Sequence, residues 1–216
     1  MFYKDSRQVY RASELDAFAW LIHGFGTRQS DIPAWLPHLA TVRQIHSAKV
    51  VAAEGRCGLL GEGDALLEDR PGAIVAVRTA DCIPILLVDE RRRAVAAVHA
   101  GWRGAVGQIA AATVDAMRRR FGTAPADLHA AIGPGIGECC YEVGPEVAAR
   151  FGRQGRAHIS LTSANRAQLL AAGVTPERIY ASNLCTMCLA EEFHSFRRDR
   201  ELAGRLYSFV GLNALS

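Results

Sequence analysis

Long apolar runs are missing from this 216-residue chain, and the longest are only strand-sized. That excludes a membrane-spanning helix from the reading, which needs about 20 consecutive apolar residues. No apolar stretch follows Met1-Phe2-Tyr3-Lys4-Asp5-Ser6-Arg7, so no secretory signal and a cytoplasmic location are expected. Charge of one sign is also scarce: 25 Lys+Arg against 22 Asp+Glu leave a net +3. This excess is too small to argue for nucleic acid, and the bases form no single stripe. Arg91-Arg92-Arg93 reads as a solvated turn between apolar strands, and Arg118-Arg119-Arg120 as the basic end of a helix. No P-loop or dinucleotide fingerprint occurs. Repeats, linkers and heptads are absent too, so residues 1–216 are expected to form a single domain and a monomer.

Half of the chain is hydrophobic, which suffices for a sizeable core. Residues 74–88 read as two apolar strands meeting at Thr79-Ala80-Asp81-Cys82, and 94–100 as a third strand ending at His99. A helix is expected over 106–121, with Gly122 as its C-cap, and shorter ones over 145–151 and 164–172. Further strands are expected over 128–132, 179–183 and 205–212. Strands interrupted by helices without regular alternation favour an α+β fold with mixed β-sheets.

Three metal-capable side chains stand beside these strand and turn signals: His46, Cys82 and His99. Each alone is weak, since a buried cysteine packs as a small hydrophobe. Together, two imidazoles and a thiolate supply the three protein ligands of a catalytic zinc and leave its fourth position open. Asp81, beside the thiol at a strand break, suggests a group that orients a ligand or moves a proton. Arg103, Arg197 and Arg198 are candidate anion binders, and Trp102 offers a stacking face. Gly133 and Gly135, in Gly133-Pro134-Gly135-Ile136-Gly137, could let the backbone approach a ligand closely. Cys139-Cys140 and Cys185-Thr186-Met187-Cys188 suggest a four-thiol zinc site, but the vicinal pair argues against one tetrahedral metal, and plain thiols are the favoured reading.

The motifs His23-Gly24-Phe25-Gly26-Thr27-Arg28, Gln44-Ile45-His46, Gly63-Asp64-Ala65-Leu66, Ala80-Asp81-Cys82-Ile83-Pro84-Ile85 and His99-Ala100-Gly101-Trp102-Arg103-Gly104 follow in one order. Ile132-Gly133-Pro134-Gly135-Ile136-Gly137, Tyr141-Glu142-Val143, Cys185-Thr186 and Phe193-His194-Ser195-Phe196-Arg197-Arg198-Asp199 complete it. In these the chain resembles the YfiH-type laccase-domain family, also described as multicopper polyphenol oxidase-like. The resemblance implies a four-layer αββα sandwich with mixed β-sheets and a zinc on His46, Cys82 and His99. It implies phosphorolysis of adenosine, inosine, guanosine and S-methyl-5'-thioadenosine with phosphate, and adenosine deamination alongside. Catalytic roles would fall to Asp81, Cys82, His99 and Arg103, and substrate contacts to Trp102, Arg103, Gly133, Gly135, Arg197 and Arg198. Two alternatives accompany it: a copper-dependent polyphenol oxidase, and a cytoplasmic amidase that edits peptidoglycan precursors. Multicopper chemistry needs roughly ten histidine-rich ligands by that metal's preferences. This chain has seven histidines, and His38, His129, His158 and His194 show no mutual spacing. Two departures from the family pattern stand out: residues 29–42 lack an Asn-Arg pair, and Phe196 replaces a usual tyrosine.

Overall fold

The computed structural model describes residues 1–214. Its α+β architecture rests on two mixed sheets packed face to face. The first has seven strands: Phe2–Lys4, Val9–Ala12, Leu21–Gly26, Leu206–Leu212, Ile74–Thr79, Leu39–Arg43 and Gly58–Glu62, in that spatial order. The second has six: Ile179–Ala181, Leu128–Ile132, Ile83–Asp89, Ala94–Ala100, Ala65–Glu68 and Val50–Ala52. Between them Phe25, Val75, Val77 and Val210 of the first sheet meet Leu86, Val88, Val95 and Ala131 of the second. Burying one such side chain fully contributes about 1.5–3 kcal/mol.

The outer face of the six-stranded sheet is covered by the helices Ile109–Phe121 and Leu161–Ala171. Ile109, Thr113 and Met117 of the longer helix are buried at helical spacing. Across the other sheet, Ile32 and Trp35 of the short helix Ile32–Trp35 pack with Phe209 and Val9. The sandwich is therefore thick on one outer side and thin on the other. Among the described residues no helix is long and apolar enough to cross a membrane.

The expected helix over 106–121 is two helices, Trp102–Val106 and Ile109–Phe121. Gln108 breaks it with a left-handed φ of 63°. Gly122 does end the second helix, at φ 70°. The segment 145–151 is one α-helical turn, Pro145–Ala148, and a 3-10 turn. The helix expected at 164 starts at Leu161, because the Ser160 hydroxyl accepts the Ser163 N–H and caps it.

The two strands expected within 74–88 lie in different sheets. Ile74–Thr79 belongs to the seven-stranded sheet and Ile83–Asp89 to the six-stranded one. Thr79-Ala80-Asp81-Cys82 is thus the crossing between layers, and all four residues border one cavity.

Candidate active site and metal centre

A chain that changes sheets in so few residues must turn sharply. Asp81 makes that turn at φ 86°, where side-chain-bearing residues are rare. Such a conformation costs on the order of 1–3 kcal/mol and persists only when its surroundings hold it. They do. Asp81 Oδ1 accepts from the Thr186 hydroxyl at 2.7 Å, and Oδ2 from the Arg197 backbone N–H at 2.6 Å. The Ile136 N–H donates to the Asp81 carbonyl at 2.8 Å. Cys82, the next residue, is presented beside the end of strand Ala94–Ala100, where His99 pairs with Pro84. His46 arrives from the loop after Leu39–Arg43, also left-handed at φ 58°.

The donor atoms of His46, Cys82 and His99 all lie within 4.8 Å of one another. The two imidazole rings meet edge to face at 4.8 Å and 73°. Asp64 organises both histidines. Its Oδ1 pairs with His99 Nδ1 at 2.8 Å and accepts the His46 backbone N–H at 3.0 Å. Oδ2 accepts from the Ser47 N–H and hydroxyl at 2.6 and 2.7 Å. A carboxylate on Nδ1 fixes the imidazole and leaves Nε2 free for a metal. A Cβ on Gly101 would stand 2.9 Å from both Cys82 Sγ and His46 Nδ1, so glycine is needed beside the donors.

Charge is set by the same contacts. Burial alone would push the Cys82 thiol up, but bonding to His46 and His99 outweighs it and holds the thiol down to about 6. Burial would likewise lower His99, yet Asp64 and Cys82 raise it to about 9. Desolvation opposes ionisation of Asp64, and bonds from His99 and Ser47 still bring it to about 2. At neutral pH the metal-free group is a thiolate beside an imidazolium. Two nitrogens and a soft thiolate at this separation fit a borderline-soft divalent ion such as zinc.

These donors form part of the wall of a cavity of about 830 Å3. Its wall carries Arg43, Arg78, Arg103, Arg197, Arg200 and Arg205 together with Trp102, Tyr141 and Phe196. Asp81 is the one carboxylate among the lining residues. Of the six arginines only Arg43 makes an ion pair among the described residues, with Glu62. The Arg103 guanidinium lies 4.4 Å from the Trp102 ring centroid, and that of Arg197 lies 5.3 Å from the Tyr141 ring centroid. Such a surplus of cations over aromatic faces suits an anion carried with a flat ring.

The family model described as "Multi-copper polyphenol oxidoreductase laccase" matches residues 28–213. The chain belongs to this laccase-domain family. A purine nucleoside phosphorylase of Deinococcus radiodurans is 41% identical over 183 residues, covering 80% of this chain and 70% of that protein. Adenosine deaminase RL5, from an unknown prokaryotic organism, is 40% identical over 198 residues, covering 81% and 75%. The crystal structure of YlmD from Geobacillus stearothermophilus superposes with a TM-score of 0.90 at 30% identity, covering 98% of each chain.

Within this laccase-domain fold, His46, Asp81, Cys82, His99, Trp102, Arg103 and Arg197 all line the cavity. Three expected substrate-contact residues do not. Gly133 and Gly135 line a smaller neighbouring cleft. Their lack of side chains serves packing: a Cβ would sit 2.2 Å from the Phe25 ring at Gly133, and 2.4 Å from Ile83 Cδ1 at Gly135. Arg198 donates to Asp199 and to the Thr186, Met187 and Phe193 carbonyls, so its fork is spent on the loop. Its neighbour Arg197 reaches the cavity because the helix Phe196–Asp199 turns successive side chains apart.

Asp64, within the motif Gly63-Asp64-Ala65-Leu66, had no role assigned from the sequence, yet its carboxylate holds His99. Its signal is a carboxylate directly ahead of the apolar Ala65-Leu66-Leu67, and it is fully buried. Tyr141 stood in a quoted motif without a role, while Arg78, Arg200 and Arg205 were not singled out, and of these three only Arg78, inside an apolar strand, carried a local signal.

Proposed function

We propose that the chain is a zinc-dependent purine nucleoside phosphorylase acting on adenosine, inosine, guanosine and S-methyl-5'-thioadenosine. The observation that carries this reading is a histidine–cysteine–histidine group opening onto an arginine-lined cavity with three aromatic side chains. Relatives at 40–41% identity bearing phosphorylase and deaminase names support it. Arg103, with Arg78 or Arg200, holds the phosphate, since their guanidinium groups make no ion pair among the described residues. A phosphate oxygen then bonds to the anomeric carbon while the bond to the purine breaks. The base departs with the electron pair and takes the proton of the attacking hydrogen phosphate, directly or through water. Trp102, Tyr141 and Phe196 offer faces for the purine and exclude water around the reacting carbon.

Asp81 is a positioning residue. Both of its oxygens accept from donors, so it anchors the sheet crossing that presents Cys82. Asp64 orients His99 in the same sense. Zinc, when bound, would polarise a substrate oxygen or activate a water, and the latter suits attack at purine C6. Adenosine deamination is therefore the second reading. A multicopper oxidase fits less well. Among the described residues the metal-capable groups are this trio and one set of four thiols, with no histidine-rich second group.

The test is adenosine incubated with wild type and Cys82→Ala, with and without phosphate, without oxygen, and with products separated by chromatography. Adenine formed only with phosphate is expected. Loss of the thiolate ligand should cut turnover by more than about a hundredfold, the effect of merely losing an outer partner. Inosine formed without phosphate would favour deamination. Full turnover by Cys82→Ala with no zinc at the trio would refute the metal's role.

A further inference from the structure

Four of the six cysteines gather at one place outside the cavity. Cys139 and Cys140 lie in the loop after strand Leu128–Ile132, and Cys185 and Cys188 in the loop after Ile179–Ala181. These strands are parallel neighbours, so both loops leave the same end of the sheet. The Thr186 N–H donates to the Gly135 carbonyl at 3.0 Å and stitches the loops together.

The four donor sulfurs all lie within 4.8 Å of one another. Cys139 and Cys140 are 3.7 Å apart, Cys139 and Cys188 3.7 Å, and Cys140 and Cys188 3.3 Å. Bonds of about 2.3 Å at tetrahedral angles place zinc-bound sulfurs about 3.8 Å apart. A disulfide needs about 2.05 Å, and Cys188 stands near two candidates without closing on either. The vicinal pair is not an obstacle. The Cys140 and Tyr141 N–H groups both donate to the Gly137 carbonyl at 3.0 Å, and this tight turn brings the adjacent sulfurs together. Cys185 Sγ accepts the Gly137 N–H at 3.2 Å, a contact that favours a thiolate. A Cβ on Gly137 would come within 3.0 Å of Cys139 Sγ and 3.4 Å of Cys185 Sγ. Glycine keeps that space open.

We propose that Cys139, Cys140, Cys185 and Cys188 form a second metal site, a closed four-thiolate site for zinc that clamps the two loops. Four protein ligands leave no open position, so this ion is structural. The clamp reaches the cavity through two residues. Tyr141 follows Cys140 and lines the wall, and Thr186 follows Cys185 and holds Asp81.

The test is metal analysis of the full chain carrying Cys82→Ala, purified under reducing conditions, reloaded with zinc and desalted. About one zinc per chain should remain. Cobalt in its place should give the strong charge-transfer absorption of four sulfur donors. Adding Cys188→Ser should remove that ion and lower the melting temperature. Cys139→Ser serves equally if the first variant does not fold, because Cys139 is exposed. Cys57→Ser, at an exposed cysteine outside the cluster, should change nothing. No zinc on Cys82→Ala after reloading would overturn the proposal. So would zinc that persists in both the Cys188→Ser and Cys139→Ser chains, or a metal-free chain with a Cys140–Cys188 disulfide by mass spectrometry.

Discussion

The trio on the cavity wall and the thiol cluster on the neighbouring loops use overlapping donor types in opposite ways. The trio mixes two imidazoles with one thiolate, stops at three ligands, and faces a large cationic cavity. The thiol cluster has four ligands of one kind and lies on two loops stitched to each other. The trio has a buried carboxylate behind it, whereas the cluster has backbone N–H groups. Open and oriented against closed and clamped is the difference between a reacting centre and a fastening. The two are joined at Asp81, whose carboxylate accepts from the Thr186 hydroxyl and whose carbonyl accepts from the Ile136 N–H.

Proton release on zinc binding should separate the two groups most strongly. In the metal-free trio Cys82 is already a thiolate above about 6, and His99 keeps its proton up to about 9. Zinc must displace that proton, so affinity rises with pH and levels off above about 9. Between pH 6.5 and 8.5 the gain should be roughly tenfold per unit, or about a hundredfold. In the cluster, hydrogen bonding with Cys188 and desolvation push the Cys140 thiol well above its ordinary value. Cys188 is raised too: bonding to Cys140 pulls it down, but Cys185 and Cys139 outweigh that. The cluster should therefore release at least two protons near neutral pH and show the steeper slope. Calorimetry of Cys82→Ala and Cys188→Ser in buffers of different ionisation enthalpy counts both. Equal slopes would erase the distinction.

Asp64→Asn should come next in size. It keeps the shape but replaces the carboxylate on His99, and costs about 10–100-fold in zinc affinity at the trio. Metal titration of the variant should leave the cluster untouched. The smallest effect is expected from Thr186→Val, which cuts the side-chain bond between the two regions and leaves the Ile136 N–H bond to the Asp81 carbonyl in place. A lost hydrogen bond to a buried carboxylate is worth about 1.5–3 kcal/mol, or roughly 3–12 °C in melting temperature. Both metals should remain bound. If turnover and melting stayed unchanged, the clamp would not reach the cavity.

Much of this was legible in the sequence because it is local. Strands 94–100 and 128–132 announce themselves by apolar runs, and His99 by the small-residue turn that follows it. The trio was readable because three metal-capable residues sit at or just beyond strand ends. What stayed hidden depends on distant chain segments meeting. Nothing near residue 80 says that the strands on either side belong to different sheets. Nothing near Arg198 says that three backbone carbonyls await its fork. Gly133 and Gly135 looked like a ligand loop because the Phe25 and Ile83 side chains that demand glycine come from other strands. The Cys139–Cys140 pair argued against a single metal until the turn at Gly137 set both sulfurs on one side.

The most direct test is anomalous scattering at the zinc edge from crystals of the full chain grown with zinc. An ion held by His46, Cys82 and His99 alone is expected, with its remaining position facing the arginine-lined cavity. A fourth protein ligand on that ion, or no ion at the trio while the protein still turns over adenosine, would contradict it.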